Sequence, residues 1–387
     1  MNKVFTLILT LSFFIGNSQN TTSDFLYVKT TDSLPFLKYG IGEDRLGGAK
    51  MTYLDSNIVL KVVDSFKTDY KVQLSQLHSA WIEKSNVTKT EFINSSKHLT
   101  NDWKVWGDSL FDYVTIQLDE KLPYTSKMEI DPSKIVVDIF GATSNTNWIE
   151  QLSSAKEIKN AWYEQPEDDV IRVFIELNHQ QHWGYSIFYN DSGKLTIKIK
   201  RQPASLKLKD ITIAIDAGHG GTNIGTTGSK NNIREKDYTL LIAKDLENEL
   251  LQKKAKVIMT RVNDTTLGMY ERITFLNHQN PDLLISIHLN SSDKDTAQGV
   301  STYYRYIGFK PLSVAILNSM LETGLREFGN VGSFNFALNG PTDYPNCLVE
   351  VAFLSNKDDE KKIVNGEFRI QVAKKIAEGI EIFLKNL

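Results

Sequence analysis

Residues 211–221 read ITIAIDAGHGG. An apolar, β-branched run that stops at Asp216 and opens into Gly218-His219-Gly220-Gly221 is the pattern of a buried strand feeding a tight turn. The turn presents one imidazole, His219, at the strand's carboxyl end, and the flanking glycines leave room for another group to approach it closely. An imidazole placed in this way suits a metal ligand or a general base.

Downstream of a polar linker at 201–210, which holds Pro203, the apolar rhythm alternates between two periods. Strands are expected at 211–215, 256–260, 283–287, 300–304 and 347–351, and helices at 236–253, 269–277, 312–328 and 368–384. The alternation predicts an α/β domain with a mostly parallel sheet flanked by helices. Open sheets of this class place their sites outside the carboxyl ends of the strands. His219 follows the first strand, His288 closes the third and Glu350 lies in the last, so all three are expected at one edge. Glu235 opens the first helix after a polar, glycine-containing loop that can fold over the same edge.

Each of these residues alone has an ordinary reading: a hydrogen-bonded histidine at a strand end, or a first-turn glutamate favoured by the helix dipole. Glu350 resists one, because a carboxylate among Leu348, Val349, Val351 and Phe353 is costly unless paired, metal-bound or functionally tuned. Together the four offer two imidazoles and one carboxylate for Zn²⁺ with a fourth position open, and leave a second carboxylate free as a base. Asp216 is a candidate for orienting His219, or for capping the turn.

Upstream of the linker the chain reads as all-β. From 24 to 98, short alternating runs such as Ile58-Val59-Leu60-Lys61-Val62-Val63 are punctuated by glycine turns at 40–44 and 47–48, the pattern of a small barrel. From 99 to 203, runs such as Ile135-Val136-Val137-Asp138-Ile139 and Ile171-Arg172-Val173-Phe174-Ile175 predict a β-sandwich. Trp148, Trp162 and Trp183 are expected in its core rather than on a glycan-stacking face, because large aromatics are usually buried.

The motifs DAGHGG, REKDYTLLIAKDLENELL, VIMTRVND, ERITFLNHQNPDLLISIHLNSS, GVSTYYR and LVEVAFLSNKDDE occur in an order that resembles the zinc-dependent N-acetylmuramoyl-L-alanine amidases over residues 211–387, within a catalytic domain expected at 204–387. The resemblance implies that His219, Glu235 and His288 ligate Zn²⁺ and that Glu350 is the catalytic acid/base. It implies hydrolysis of the amide between the lactyl group of N-acetylmuramic acid and the L-alanine of the peptidoglycan stem. GATSNTNWIE, AWYEQPEDDVIRVFIEL and QHWGYSIFY resemble the AMIN-type modules attached to some of these enzymes. Residues 24–98 resemble bacterial Src-homology-3-like wall modules. The chain departs from the amidase pattern at Thr222-Asn223-Ile224-Gly225-Thr226, where Asp-Pro-Gly-Ala is common, and at Phe336-Ala337-Leu338-Asn339-Gly340, where an arginine is frequent. A regulatory helix inserted before the glutamate in some relatives has no room here, so an open groove is expected, with any protein activator unknown. The alternatives are a related zinc hydrolase of another acylated amino sugar or peptide, and a catalytically silent wall-binding scaffold. The scaffold reading calls for loss of one of the four residues, and all four are present.

The 387 residues carry a formal net charge of −3, which gives no support for nucleic-acid binding. Lys3, the apolar run 4–15 and the small residues Gly16 and Ser18 form a secretory leader pattern over 1–18. That run is too short for a comfortable membrane span. Export to the periplasm or the extracellular wall is therefore expected, with no membrane span after cleavage. Cys347 is the only cysteine, so no internal disulfide forms, and its apolar neighbours predict a buried core residue.

Overall fold

The computed structural model describes residues 25–32, 34–41, 50–91 and 98–387. The expected leader at 1–18 lies outside the described residues, as do Gly42, Gly47 and Gly48 of the expected glycine turns. Among the described residues, no helix is long and apolar enough to cross a membrane.

The first part of the chain is all β. Seven strands form one antiparallel sheet in the spatial order Lys50–Tyr53, Phe36–Lys38, Ser79–Glu83, Asp69–Gln73, Val59–Phe66, Tyr27–Thr30, Val87–Thr90. Residues 98–200 form two further sheets, one of four strands and one of six. The alternation along Phe111–Leu118 buries every second side chain, as a strand with one solvated face requires. Val114 and Ile116 from one sheet and Val137, Ile139 and Val173 from the other belong to a single apolar core, which continues into the first sheet through Leu60, Val72 and Ile82.

Residue 212 begins the α/β part: β1 (Thr212–Ala217), α1 (Glu235–Gln252), β2 (Lys256–Met259), α2 (Met269–Gln279), β3 (Leu283–Asn290), β4 (Val300–Tyr303), α3 (Lys310–Leu321), β5 (Glu327–Val331), β6 (Asn346–Phe353), α4 (Lys357–Val364) and α5 (Gly366–Lys385). The sheet order is β2-β1-β3-β6-β4-β5. It is a mixed sheet: β4 runs antiparallel to β6, while the remaining neighbours are parallel. β6 is buried along its whole length, because α-helices and neighbouring strands cover it on every side. Cys347 is fully buried there, as its neighbours predict, and burial pushes its thiol up.

Two expectations need correction, and one helix was not expected. The helix expected over 312–328 stops at Leu321, because Gly324 adopts a left-handed φ of 78°, and the remainder becomes the edge strand β5. A short helix, α4, precedes α5; Asn356 caps it by accepting from the N–H groups of Asp358 and Asp359. Trp148 is 62% exposed and does not belong to a core, whereas Trp183 is buried against Phe383 of α5. Trp162 lies between these, stacked on Phe174 with ring centroids 5.2 Å apart.

The β modules touch the segment that leads into β6. The Tyr185 N–H donates to the Thr342 carbonyl at 2.8 Å, and the Thr342 hydroxyl returns a bond to the Tyr185 carbonyl at 2.7 Å. Arg305 donates to the carbonyls of Lys50 and Met51, at 2.5 and 3.0 Å.

Candidate active site

β1, β3 and β6 are mutually parallel neighbours, so their carboxyl ends share an edge. Within that arrangement His288 and Glu350 are direct cross-strand partners. The register therefore sets an imidazole beside a carboxylate without any loop rearrangement. His219 arrives from the turn after β1 with a φ of 60°, a left-handed conformation that the surrounding glycines accommodate. Gly218 is needed for a different reason. A Cβ there would come within 2.5 Å of the His288 ring, so only a bare backbone lets the two strand ends close on each other.

Glu235, the first residue of α1, joins the pair. Its Oε2 lies 3.0 Å from His219 Nε2 and its Oε1 lies 3.0 Å from His288 Nδ1. The same two oxygens accept backbone N–H groups of Thr226, at 2.8 Å, and Leu289, at 3.0 Å. Burial pushes the Glu235 carboxyl up, but the bonds to the two imidazoles outweigh it and hold the group well below the usual carboxylate range. One ligand atom from each of His219, Glu235 and His288 falls within 4.8 Å of the others, a set of donors able to hold a metal ion. Asn223 fixes the ring of His219: its Oδ1 sits 2.9 Å from Nδ1, which turns Nε2 toward Glu235.

Glu350 shares the same cavity of about 920 Å³. It is 7% exposed, and its Oε2 is buried with no hydrogen-bond partner among the described residues. Burial raises its carboxyl well above the ordinary range, and the negative charge of Glu235 adds in the same direction. An orphaned, protonation-poised carboxylate aimed into a cavity is costly in a purely structural role.

Asp216 does not orient His219 directly. Its carboxylate accepts from Thr260 Oγ1 and Ser286 Oγ, both at 2.7 Å, and from Arg272. Arg272 in turn donates to the carbonyls of Ala217 at 2.9 Å and His219 at 2.5 Å. A second buried arginine, Arg261, donates to the carbonyls of Ala217, Gly218 and Lys236. Two guanidinium groups thus tie down the backbone that carries His219 and the start of α1. Glu360, fully buried on α4, holds the preceding loop by accepting from Ser229 Oγ and from the N–H groups of Lys230 and Asn231.

Sequence reasoning missed Asn223, Arg261, Arg272 and Glu360. The arginines carried a usable signal, since each sits next to apolar residues inside a motif read for other reasons. Asn223 and Glu360 carried none, because their partners lie in loops whose path no periodicity describes.

The protein family described as N-acetylmuramoyl-L-alanine amidase matches residues 213–382, and the AMIN domain family matches residues 102–199. The chain is 32% identical over 217 residues to a probable cell wall amidase, LytH, of Staphylococcus saprophyticus, covering 56% of this chain and 72% of that protein. It is 30% identical over 215 residues to the germination-specific N-acetylmuramoyl-L-alanine amidase of Bacillus subtilis, covering 51% of this chain and 86% of that protein. Among solved structures it is similar to an N-acetylmuramoyl-L-alanine amidase from Clostridium difficile 630, with 34% identity, 45% of this chain and 97% of that chain covered, and a TM-score of 0.44. The chain belongs to the N-acetylmuramoyl-L-alanine amidase family, whose members are peptidoglycan-cleaving hydrolases.

Proposed function

We propose that this amidase uses a zinc ion held by His219, Glu235 and His288, with Glu350 as general base and acid, to hydrolyse the amide joining the lactyl group of N-acetylmuramic acid to L-alanine. The single observation that carries this reading is the meeting of three metal-donor side chains and one unpartnered buried carboxylate in one cavity. Two imidazoles and a carboxylate suit zinc, which takes nitrogen and oxygen ligands and in hydrolases keeps a position for water or substrate. Bound there, zinc supplies Lewis-acid polarisation of a carbonyl and lowers the pKa of water.

The chain's own residues supply the proton transfers. Glu350 takes the proton of the attacking water as the scissile carbonyl is approached, and delivers it to the departing alanine nitrogen as the C–N bond breaks. Asn223 keeps His219 in the tautomer that leaves Nε2 free for the metal, and Arg261 and Arg272 fix the backbone at Gly218 and His219.

Only α3, β5 and short 3-10 turns at Ile307–Phe309 and Ala337–Asn339 lie between β4 and β6, which supports a groove open without removal of an inhibitory helix. The Src-homology-3-like assignment of residues 24–98, the boundaries 99–203 and 204–387, and export to the periplasm or wall belong to the same proposal. The AMIN match supports a role for the amino-terminal modules in wall binding. Digestion of purified sacculi, followed by mass analysis of the soluble products, tests the bond: free stem peptides with an amino-terminal L-alanine are expected. Cleavage within the peptide or the glycan alone would contradict the assignment.

A further inference from the structure

Residues 334–343, on the segment between β5 and β6, belong to two surfaces at once. Phe334, Phe336, Ala337 and Leu338 line the cavity that holds the donor set and Glu350. The Phe336 ring lies parallel to the imidazole of His288, 6.4 Å between centroids, and packs against Phe334 at 4.6 Å and Tyr303 at 5.3 Å. From Gly340 to Asp343 the same stretch faces the β modules, across a small chamber lined on its other side by Tyr53, Tyr124 and Ser126. β6 then begins at Asn346 and carries Glu350 into the site. The regular structure of the stretch is the 3-10 turn at Ala337–Asn339, so its position rests largely on side-chain contacts.

Its own domain supplies part of that support. Asn339 Nδ2 donates to the Tyr303 carbonyl at 3.3 Å and to Asn346 Oδ1 at 3.0 Å, and the Tyr306 hydroxyl donates to the Gly340 carbonyl at 2.9 Å. The β modules supply the rest. The paired bonds between Tyr185 and Thr342 hold one end. Tyr53 holds the middle: its ring packs against the apolar cluster that contains Leu338 and Tyr344, and a Cβ placed on Gly340 would stand 3.1 Å from it. Arg305 anchors the strand that carries Tyr53 by donating to the carbonyls of Lys50 and Met51. The Tyr53 hydroxyl is buried with no hydrogen-bond partner among the described residues, so the contact belongs to the ring. Given the amidase reading above, we propose that Tyr53 is a positioning residue: through it the first β sheet holds residues 334–343 in place and so sets the shape of the substrate cavity. The donor set is carried by other elements, the turn after β1, α1 and β3. A displaced wall therefore loosens the grip on substrate and leaves the metal-binding side chains where they are.

The test uses the full-length zinc-loaded protein and a soluble disaccharide bearing a single uncross-linked stem peptide, so that docking on the intact wall does not enter the rate. Tyr53→Ala is expected to lower kcat/KM about tenfold, mainly through KM, because a misplaced wall costs substrate positioning. Zinc affinity by chelator competition is expected to stay at the wild-type value, while hydrogen exchange quickens in peptides covering 334–343. Tyr53→Phe, which keeps the ring, is expected to match wild type in all three measurements. Thr342→Val removes one bond of the second contact at similar volume, and is expected to raise KM about threefold. Wild-type kcat/KM in folded Tyr53→Ala overturns the proposal. So does a fall in zinc affinity that tracks the loss of activity, which would place the effect on the donor set. An equal loss in Tyr53→Phe also overturns it, since the hydroxyl and not the ring would then matter. Where Tyr53→Ala does not fold, Thr342→Val decides: a raised KM with unchanged zinc affinity supports the proposal, and unchanged KM and exchange overturn it. Failure of the wild type on this substrate and on sacculi alike defeats the amidase reading instead, and leaves the exchange measurement to judge the wall contact.

Discussion

Gly218 and the imidazole of His288 are in direct apposition: no side-chain carbon fits on Gly218 without meeting the ring. The contact joins the turn after β1 to the end of β3, and so sets the spacing of the two imidazoles, whose centroids are 4.9 Å apart. Gly218→Ala is therefore expected to lower zinc affinity by roughly 10–100-fold, the usual effect of disturbing a ligand's support. Chelator-competition titration measures it. Unchanged affinity in the folded variant would show that the close approach is incidental.

Much of this site was legible in the sequence, and the reasons are specific. His219 follows, His288 closes and Glu350 lies within apolar runs of strand length, and continuous runs of this kind mark buried parallel strands, so convergence at one edge followed from topology alone. Glu235 was legible as a helix start. The long-range partners were not. Asn223 reaches His219 only because the backbone turns back at Gly220 and Gly221, and Glu360 reaches Lys230 and Asn231 across 130 and 129 positions of sequence. The over-long helix at 312–328 failed because apolar periodicity persists through Leu325, past the glycine that ends the helix.

Asn223 holds the His219 ring through a single hydrogen bond at 2.9 Å. Asn223→Ala is expected to weaken zinc binding by roughly 10-fold or more with little change in thermal stability, because the residue lies at the exposed rim. Isothermal titration with zinc alongside a melting curve distinguishes this from general unfolding, which would lower both.

Glu360→Ala removes the acceptor for three donors in the loop that delivers Glu235. The expected loss of folding stability is about 3 kcal/mol, as for other buried donors left without partners. Urea denaturation reads it. A change below about 0.5 kcal/mol, within the range of an ordinary surface substitution, would contradict the role assigned to this carboxylate.

Asp343 offers a pH dependence. Burial pushes its carboxyl up to about 6 from an ordinary 3.8, against weaker opposing effects of Lys198, its own backbone and Lys200. A raised folded-state pKa means that the protonated form favours the folded protein. The associated stability is fully present below about 3.8, declines as pH rises, and is lost above about 6. Asp343→Asn is expected to flatten this component, raising the melting temperature relative to wild type above pH 6 and leaving it little changed near pH 4. An identical pH profile for variant and wild type would show that the side chain is better solvated than its surroundings imply.

The most direct test of the whole account is zinc content measured with stem-peptide release on wild type, Glu350→Ala and His288→Ala. The account predicts one zinc per chain in wild type and in Glu350→Ala, with turnover lost in the latter by about 10²–10⁴-fold, the usual contribution of a general base. It predicts loss of both metal and turnover in His288→Ala. Near-normal rates in Glu350→Ala, or wild-type zinc affinity in His288→Ala, would contradict it.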